Sequence, residues 1–143
     1  IIDAYYRACL HAGIKIYSAS SKLTFQIGPC VGIKIADDLW MARYLLYRIA
    51  AYFGVLVTFS NARMNVNIST KAMREEGGIQ VIERAIDKLS RIHVDRPCVS
   101  FRIPLAVKSK GRGHFQDRRL AAVTADPYKL IENIIRTITF NKH

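Results

Sequence analysis

At 143 residues, half of them hydrophobic, the chain is long enough for one domain with a buried core and too apolar to be disordered. No apolar run approaches the roughly 20 residues that a membrane-spanning helix needs, so no membrane partner is expected. Its 22 Lys plus Arg against 11 Asp plus Glu give a formal charge of +11, but the cations are scattered, and nucleic acid is not the expected partner.

In chain order, residues 1–12 read as a helix, with Ile2, Tyr5, Tyr6 and Cys9 at helical spacing and Gly13 as its C-cap. Asp3 and Arg7 interrupt its apolar pattern, so it is no secretory signal, and the missing initiating Met points to a fragment or an incomplete gene product. A short strand, 14–17, and a Ser-rich turn precede the alternation Leu23-Thr24-Phe25-Gln26-Ile27, a strand that Gly28-Pro29 ends. Asp37 or Asp38 can N-cap a long helix that stops at Gly54. Residues 55–59 read as a buried strand, 64–69 as another and 70–76 as a turn. An amphipathic helix over 79–92 carries Ile79, Ile82, Ala85, Ile86 and Leu89 on one stripe. Residues 99–103 read as a strand ended by Pro104, and 108–113 as a basic, glycine-containing loop. Asp126 caps a last helix, with Pro127 in its first turn, running to about Phe140. Strands and helices mix without strict alternation, which favours an α+β fold.

Cys9, Cys30 and Cys98 form no CxxC pair, so they read as reduced thiols of an intracellular, cytoplasmic protein. His11 and His114 have no His or Cys at ligand spacing, and His93 reads as a polar helix-end residue. Trp40, Tyr44 and Tyr47 read as core or subunit contact, and Gly111-Arg112-Gly113 is too short for a phosphate loop.

Several segments, in order, carry a resemblance: IIDAYYRACLHAGIKI, FQIGPC-x-GI, DDLWMARYLLYRIA-x-x-FGV, NISTKAMREEGG, IERAIDKLSRIH, RIP, and G-x-F-x-DRR followed by DPY. Together they resemble the catalytic domain of eukaryotic-type glutamine synthetase. The resemblance implies a curved, mostly antiparallel sheet flanked by helices, contributing to a site that a neighbouring subunit completes. It also implies deletions near 61–64 and 94–98, and the absence of the family's N-terminal small domain. The implied reaction is ligation of glutamate and ammonia, in which ATP phosphorylates the γ-carboxylate and ammonia displaces phosphate. Such chemistry needs magnesium or manganese to bridge the phosphates, and hard cations need carboxylate ligands.

By resemblance, the ligand positions are Thr24 and Val31 around the IGPC motif, Asn65 before NIST, and Gln116 in FQDRR. All four are neutral here, so no metal site and no catalytic residue is expected, and this chain reads as inactive. The resemblance leaves a cationic half. Asn67, Ser69, Arg74, Arg102 and Phe115 fall at nucleotide- or phosphate-contacting positions, and Arg118 and Arg119 at substrate-contacting ones. Arg suits phosphate because its planar fork binds two oxygens at once. Residual, weak ATP or phosphate binding is the resulting expectation. Arg118 and Arg119 beside Asp117 also fit a local turn network. Two alternatives stand: an assembly partner forming homo- or hetero-oligomers with glutamine synthetase-like subunits, and a basic nucleic-acid-binding module.

Overall fold

A computed structural model of the chain describes residues 1–19, 24–59, 64–92, 99–119 and 126–140. Among them are six helices and two antiparallel sheets, an α+β fold. None of the described helices is long and apolar enough to cross a membrane. The segments 61–63 and 94–98, where deletions are expected, lie outside the described residues, as do Leu23, His93 and Cys98. The chain divides into two compact units, Ile1–Thr58 with Asp126–Ile131, and Phe59–Ala125 with Glu132–His143.

In the first unit, α1 (Ile2–His11) ends where the glycine signal placed it. Gly13, at φ +74°, donates to the Leu10 carbonyl, and Ile14 donates to the Cys9 carbonyl. This closure satisfies two orphan carbonyls and turns the chain back so that Ile14 and Cys9 are both buried. The strands β1 (Ile16–Ala19) and β2 (Thr24–Ile27) pair antiparallel, with Ile16 opposite Ile27. Phe25 and Ile27 share the inner face, and the Phe25 ring meets Tyr5 edge-on at 4.8 Å. The helix α2 (Lys34–Tyr52) repeats the C-terminal device: Gly54, at φ +68°, donates to Ala51, and Val55 donates to Ala50. Tyr5, Cys9, Ile14, Ile16 and Ala42 form the core, with Leu45, Leu46 and Ile49 packed against it. Burial, reinforced by the Cys9 neighbour, pushes the Tyr5 phenol up beyond its ordinary range.

Two expectations fail in this unit. α2 starts about a turn before Asp37 and Asp38, so neither caps it. Asp38 is buried instead, accepting from Lys34 Nζ at 2.6 Å and from the Cys30 thiol at 3.2 Å. That hydrogen bond raises the Lys34 ammonium, while partial desolvation and then Asp38 push the Cys30 thiol up. Residues 55–59 are not a strand: Leu56 stands almost fully exposed, and among the described residues no strand pairs with them. Asp126 does cap α6 (Pro127–Thr139), its Oδ1 accepting from Tyr128 N at 2.9 Å. The Tyr128 hydroxyl donates to Asp37 Oδ1, which raises its pKa from the ordinary tyrosine value.

The second unit is built on three strands, β3 (Met64–Ile68), β4 (Val99–Arg102) and β5 (Phe115–Arg119), in the order β3-β5-β4. Between β3 and β4 run a single turn of helix, α3 (Lys71–Arg74), and α4 (Gly78–Ile92). The expected turn at 70–76 is therefore partly helical, closed by Thr70, whose hydroxyl accepts from Met73 N. α4 buries the expected stripe at Ile82, Ala85 and Leu89. The corner between α3 and α4 is tight enough to demand glycine. A Cβ on Gly78 would stand 2.2 Å from the Met73 carbonyl oxygen, a backbone atom that cannot rotate away. The presumed basic loop begins as a short helix, α5 (Leu105–Lys110), ended by Gly111 at φ +68°. Gly113 then donates to the Met73 carbonyl at 2.7 Å and delivers the chain to β5.

Candidate functional site

The three-stranded sheet decides which side chains can act together. Residues directly opposed across an antiparallel pair project to the same face, and successive residues alternate. Gln116 of β5 lies between Asn67 of β3 and Arg102 of β4. Two residues on, Arg118 lies between Asn65 and Ser100. One face therefore presents two rungs, Asn67–Gln116–Arg102 and Asn65–Arg118–Ser100. Five of these six side chains are exposed, and Gln116 is half-buried.

The reverse face is the core side. Phe115 lies opposite Ile68, and Asp117 between Val66 and Phe101. The Phe115 side chain is fully buried, with the Phe101 ring 6.2 Å away. Asp117 is also fully buried and is held by Arg119, from Nη2 at 2.8 Å and Nε at 3.2 Å. The two neighbouring arginines thus divide. Arg118 faces out, while Arg119, only 15% exposed, is committed to Asp117. The aspartate–arginine network foreseen for a turn exists inside a strand and takes only Arg119.

Ser69 and Arg74 meet at the end of β3. Arg74 Nη1 donates to the Ser69 carbonyl at 3.2 Å and to its hydroxyl oxygen at 3.1 Å, while that hydroxyl donates to the Gly113 carbonyl at 2.7 Å. The arrangement ties the start of β5 to the end of β3. Thr24 and Val31 belong to the first unit, Thr24 exposed on β2 and Val31 almost fully exposed in the turn before α2. Ser100 is the member of the polar face that sequence reading missed. Only strand register places it beside Arg118.

This face can be tested against a divalent cation by its donors. Asn65 and Gln116 offer neutral amide oxygens, and Arg102 and Arg118 bring positive charge beside them. No Asp or Glu occupies either rung, because the one carboxylate on β5 points to the reverse face. Hard dications need several anionic oxygens, so these residues do not fit one. Among the described residues, no three His, Cys, Asp or Glu side chains cluster as a metal site would require. Arg102 and Arg118 are likewise without a carboxylate partner among the described residues.

The chain is 39% identical to glutamine synthetase 2 cytoplasmic of Drosophila melanogaster, over a stretch covering 99% of this chain and 51% of that protein. Glutamine synthetases of Rattus norvegicus and Homo sapiens match at 38% and 36% identity, again over 99% of the chain and 51% of each relative. The chain belongs to the glutamine synthetase family. No protein-family model matches it. It spans about half the length of the curated relatives it matches. The stretch matched to the fly glutamine synthetase is 191 residues long, against 143 in the chain, so at least 48 of its positions have no counterpart here. Glutamine synthetase membership makes ATP and divalent metal the family's reagents, and on this chain the polar face of the second unit presents two arginines and no carboxylate.

Proposed function

We propose that this member of the glutamine synthetase family does not carry out ATP-dependent ligation of glutamate and ammonia, and keeps only a remnant that binds phosphate-bearing anions. One observation carries the reading: two guanidinium groups, three neutral amides and one hydroxyl share a face that holds no carboxylate. Transfer of a phosphoryl group onto a carboxylate brings two anions together, and dications must offset their repulsion. Thr24, Val31, Asn65 and Gln116 supply no negative charge with which to hold them. Positions absent from the matched stretch support the same reading, since a shortened chain has fewer groups with which to enclose a substrate. The cytoplasmic setting in the fly relative's name, and the free thiols of Cys9 and Cys30, support a cytoplasmic location. The decisive measurement incubates the full chain with glutamate, ammonia, ATP and magnesium or manganese beside an intact relative, and quantifies glutamine by mass spectrometry. No glutamine above background is expected; turnover near the relative's rate would sink the proposal.

A second reading, an assembly partner of glutamine synthetase-like subunits, is favoured by the outward side of α2. Trp40, Met41, Tyr44, Tyr47 and Tyr52 recur there at helical spacing, with Trp40 49% and Tyr44 58% exposed. A solvated helix face would carry charge at these positions, whereas aromatic and Met residues are the types enriched at interfaces. Sedimentation of this chain mixed with an intact synthetase is expected to move it into the fast-sedimenting fraction. A chain that stays monomeric beside the intact synthetase removes this reading.

A further inference from the structure

We infer that the polar face of the three-stranded sheet is a site for metal-free polyphosphate, whose binding divalent cations weaken. The inference rests on the phosphate-binding reading above and fixes the charge state of the ligand. Arg102 opposes Gln116, and Arg118 follows Gln116 by two residues, so the two arginines are diagonal neighbours on adjacent antiparallel strands. Such neighbours stand about 7–8 Å apart, within reach of long side chains, and two guanidinium forks can close on adjoining phosphates of one chain. Asn65, Asn67, Ser100 and Gln116 surround them with neutral hydrogen-bonding groups.

The sign of the metal effect follows from this charge pattern. In a site with acidic ligands, a dication bridges carboxylates and phosphates, so metal and nucleotide strengthen each other. Here the protein supplies cations and no carboxylate. Magnesium on the triphosphate cancels two negative charges and occupies oxygens that the guanidinium groups would take. It also stands as a third cation beside Arg102 and Arg118. Reciprocity of linkage then makes magnesium and this face competitors for the same ligand. With exposed partners the Coulomb difference is modest, about tenfold in affinity at low salt, and it shrinks as ionic strength rises.

Calorimetric titration of the full chain with sodium tripolyphosphate, with ATP in EDTA, and with ATP in excess magnesium tests this directly. Tripolyphosphate and metal-free ATP are expected to bind, and magnesium-ATP to bind about tenfold more weakly. Arg102→Gln and Arg118→Gln are each expected to weaken metal-free ATP by about tenfold without changing the thermal transition, since neither side chain holds an ion pair among the described residues. Arg91→Gln removes the same charge from α4, where Arg91 pairs with Asp87, and should leave affinity unchanged. Equal or tighter binding with magnesium, no binding of tripolyphosphate, or an equal loss in the Arg91 variant overturns the inference. The absence of ligation is measured separately by glutamine formation, so either idea can fall while the other stands.

Discussion

Replacing Asp117 with alanine is expected to destabilise the second unit by about 3–5 kcal/mol, the usual consequence of stripping one partner from a buried ion pair. Asp117 is 0% exposed and sits on the central strand, where β3 and β4 both flank it. Its two oxygens receive three contacts from Arg119, at 2.8 to 3.2 Å, a forked geometry that fixes both side chains. Alanine leaves that guanidinium facing an apolar layer of Val66 and Phe101 with its charge uncompensated. Domains of this size are stable by about 5–15 kcal/mol, so the loss is a large fraction of the total. Asp117→Asn keeps the shape and one acceptor but not the charge, and should fall between alanine and the parent. The double change Asp117→Leu with Arg119→Met should recover much of the loss, since an apolar pair has no charge to strand. Urea unfolding followed by circular dichroism measures all four chains. A loss near 1 kcal/mol for alanine would mean that water reaches the pair.

That ion pair also explains where sequence reading stopped. α1, α2, α4 and α6 were legible because apolar periodicity and punctuation agree: Gly13 and Gly54 close two of them, and Asp126 with Pro127 opens a third. β5 carries no clear strand signal in its sequence. Its inward positions are Phe115, Asp117 and Arg119, so the alternation that marks a half-buried strand is interrupted by two charges that bury only as a pair. Once FQDRR is read as a strand, its period of two separates Arg118 from Arg119, and the polar face follows. Residues 55–59 fail in the opposite way. Their composition suits a strand, but β-propensity records packing against neighbours, and among the described residues no strand pairs with them. Asp38 looked like a cap from spacing alone; its contacts with Lys34 and Cys30 are tertiary and leave no local signature. The neutral side chains of Asn65 and Gln116 are visible as letters, whereas their alignment with Arg102 and Arg118 needs the register.

Phe115 separates a packing role from a binding role, because resemblance puts it beside a nucleotide while its ring lies on the core face. Phe115→Ala is expected to cost about 3–5 kcal/mol, through lost transfer energy and the cavity left beside Phe101 and Ile68. Phe115→Leu keeps most of the volume and should cost no more than about 1.5 kcal/mol. The leucine variant is the informative one for binding, since it stays folded and removes the aromatic ring. With Arg102 and Arg118 on the opposite side of the sheet, its affinity for metal-free ATP should remain within about twofold of the parent. A base stacked on the ring would instead make the leucine variant bind about tenfold more weakly, as expected when roughly 1–3 kcal/mol of stacking is lost. Intact affinity in Phe115→Leu together with a loss in Arg102→Gln would assign recognition to the phosphates, and would require the adenine to lie away from the Phe115 ring.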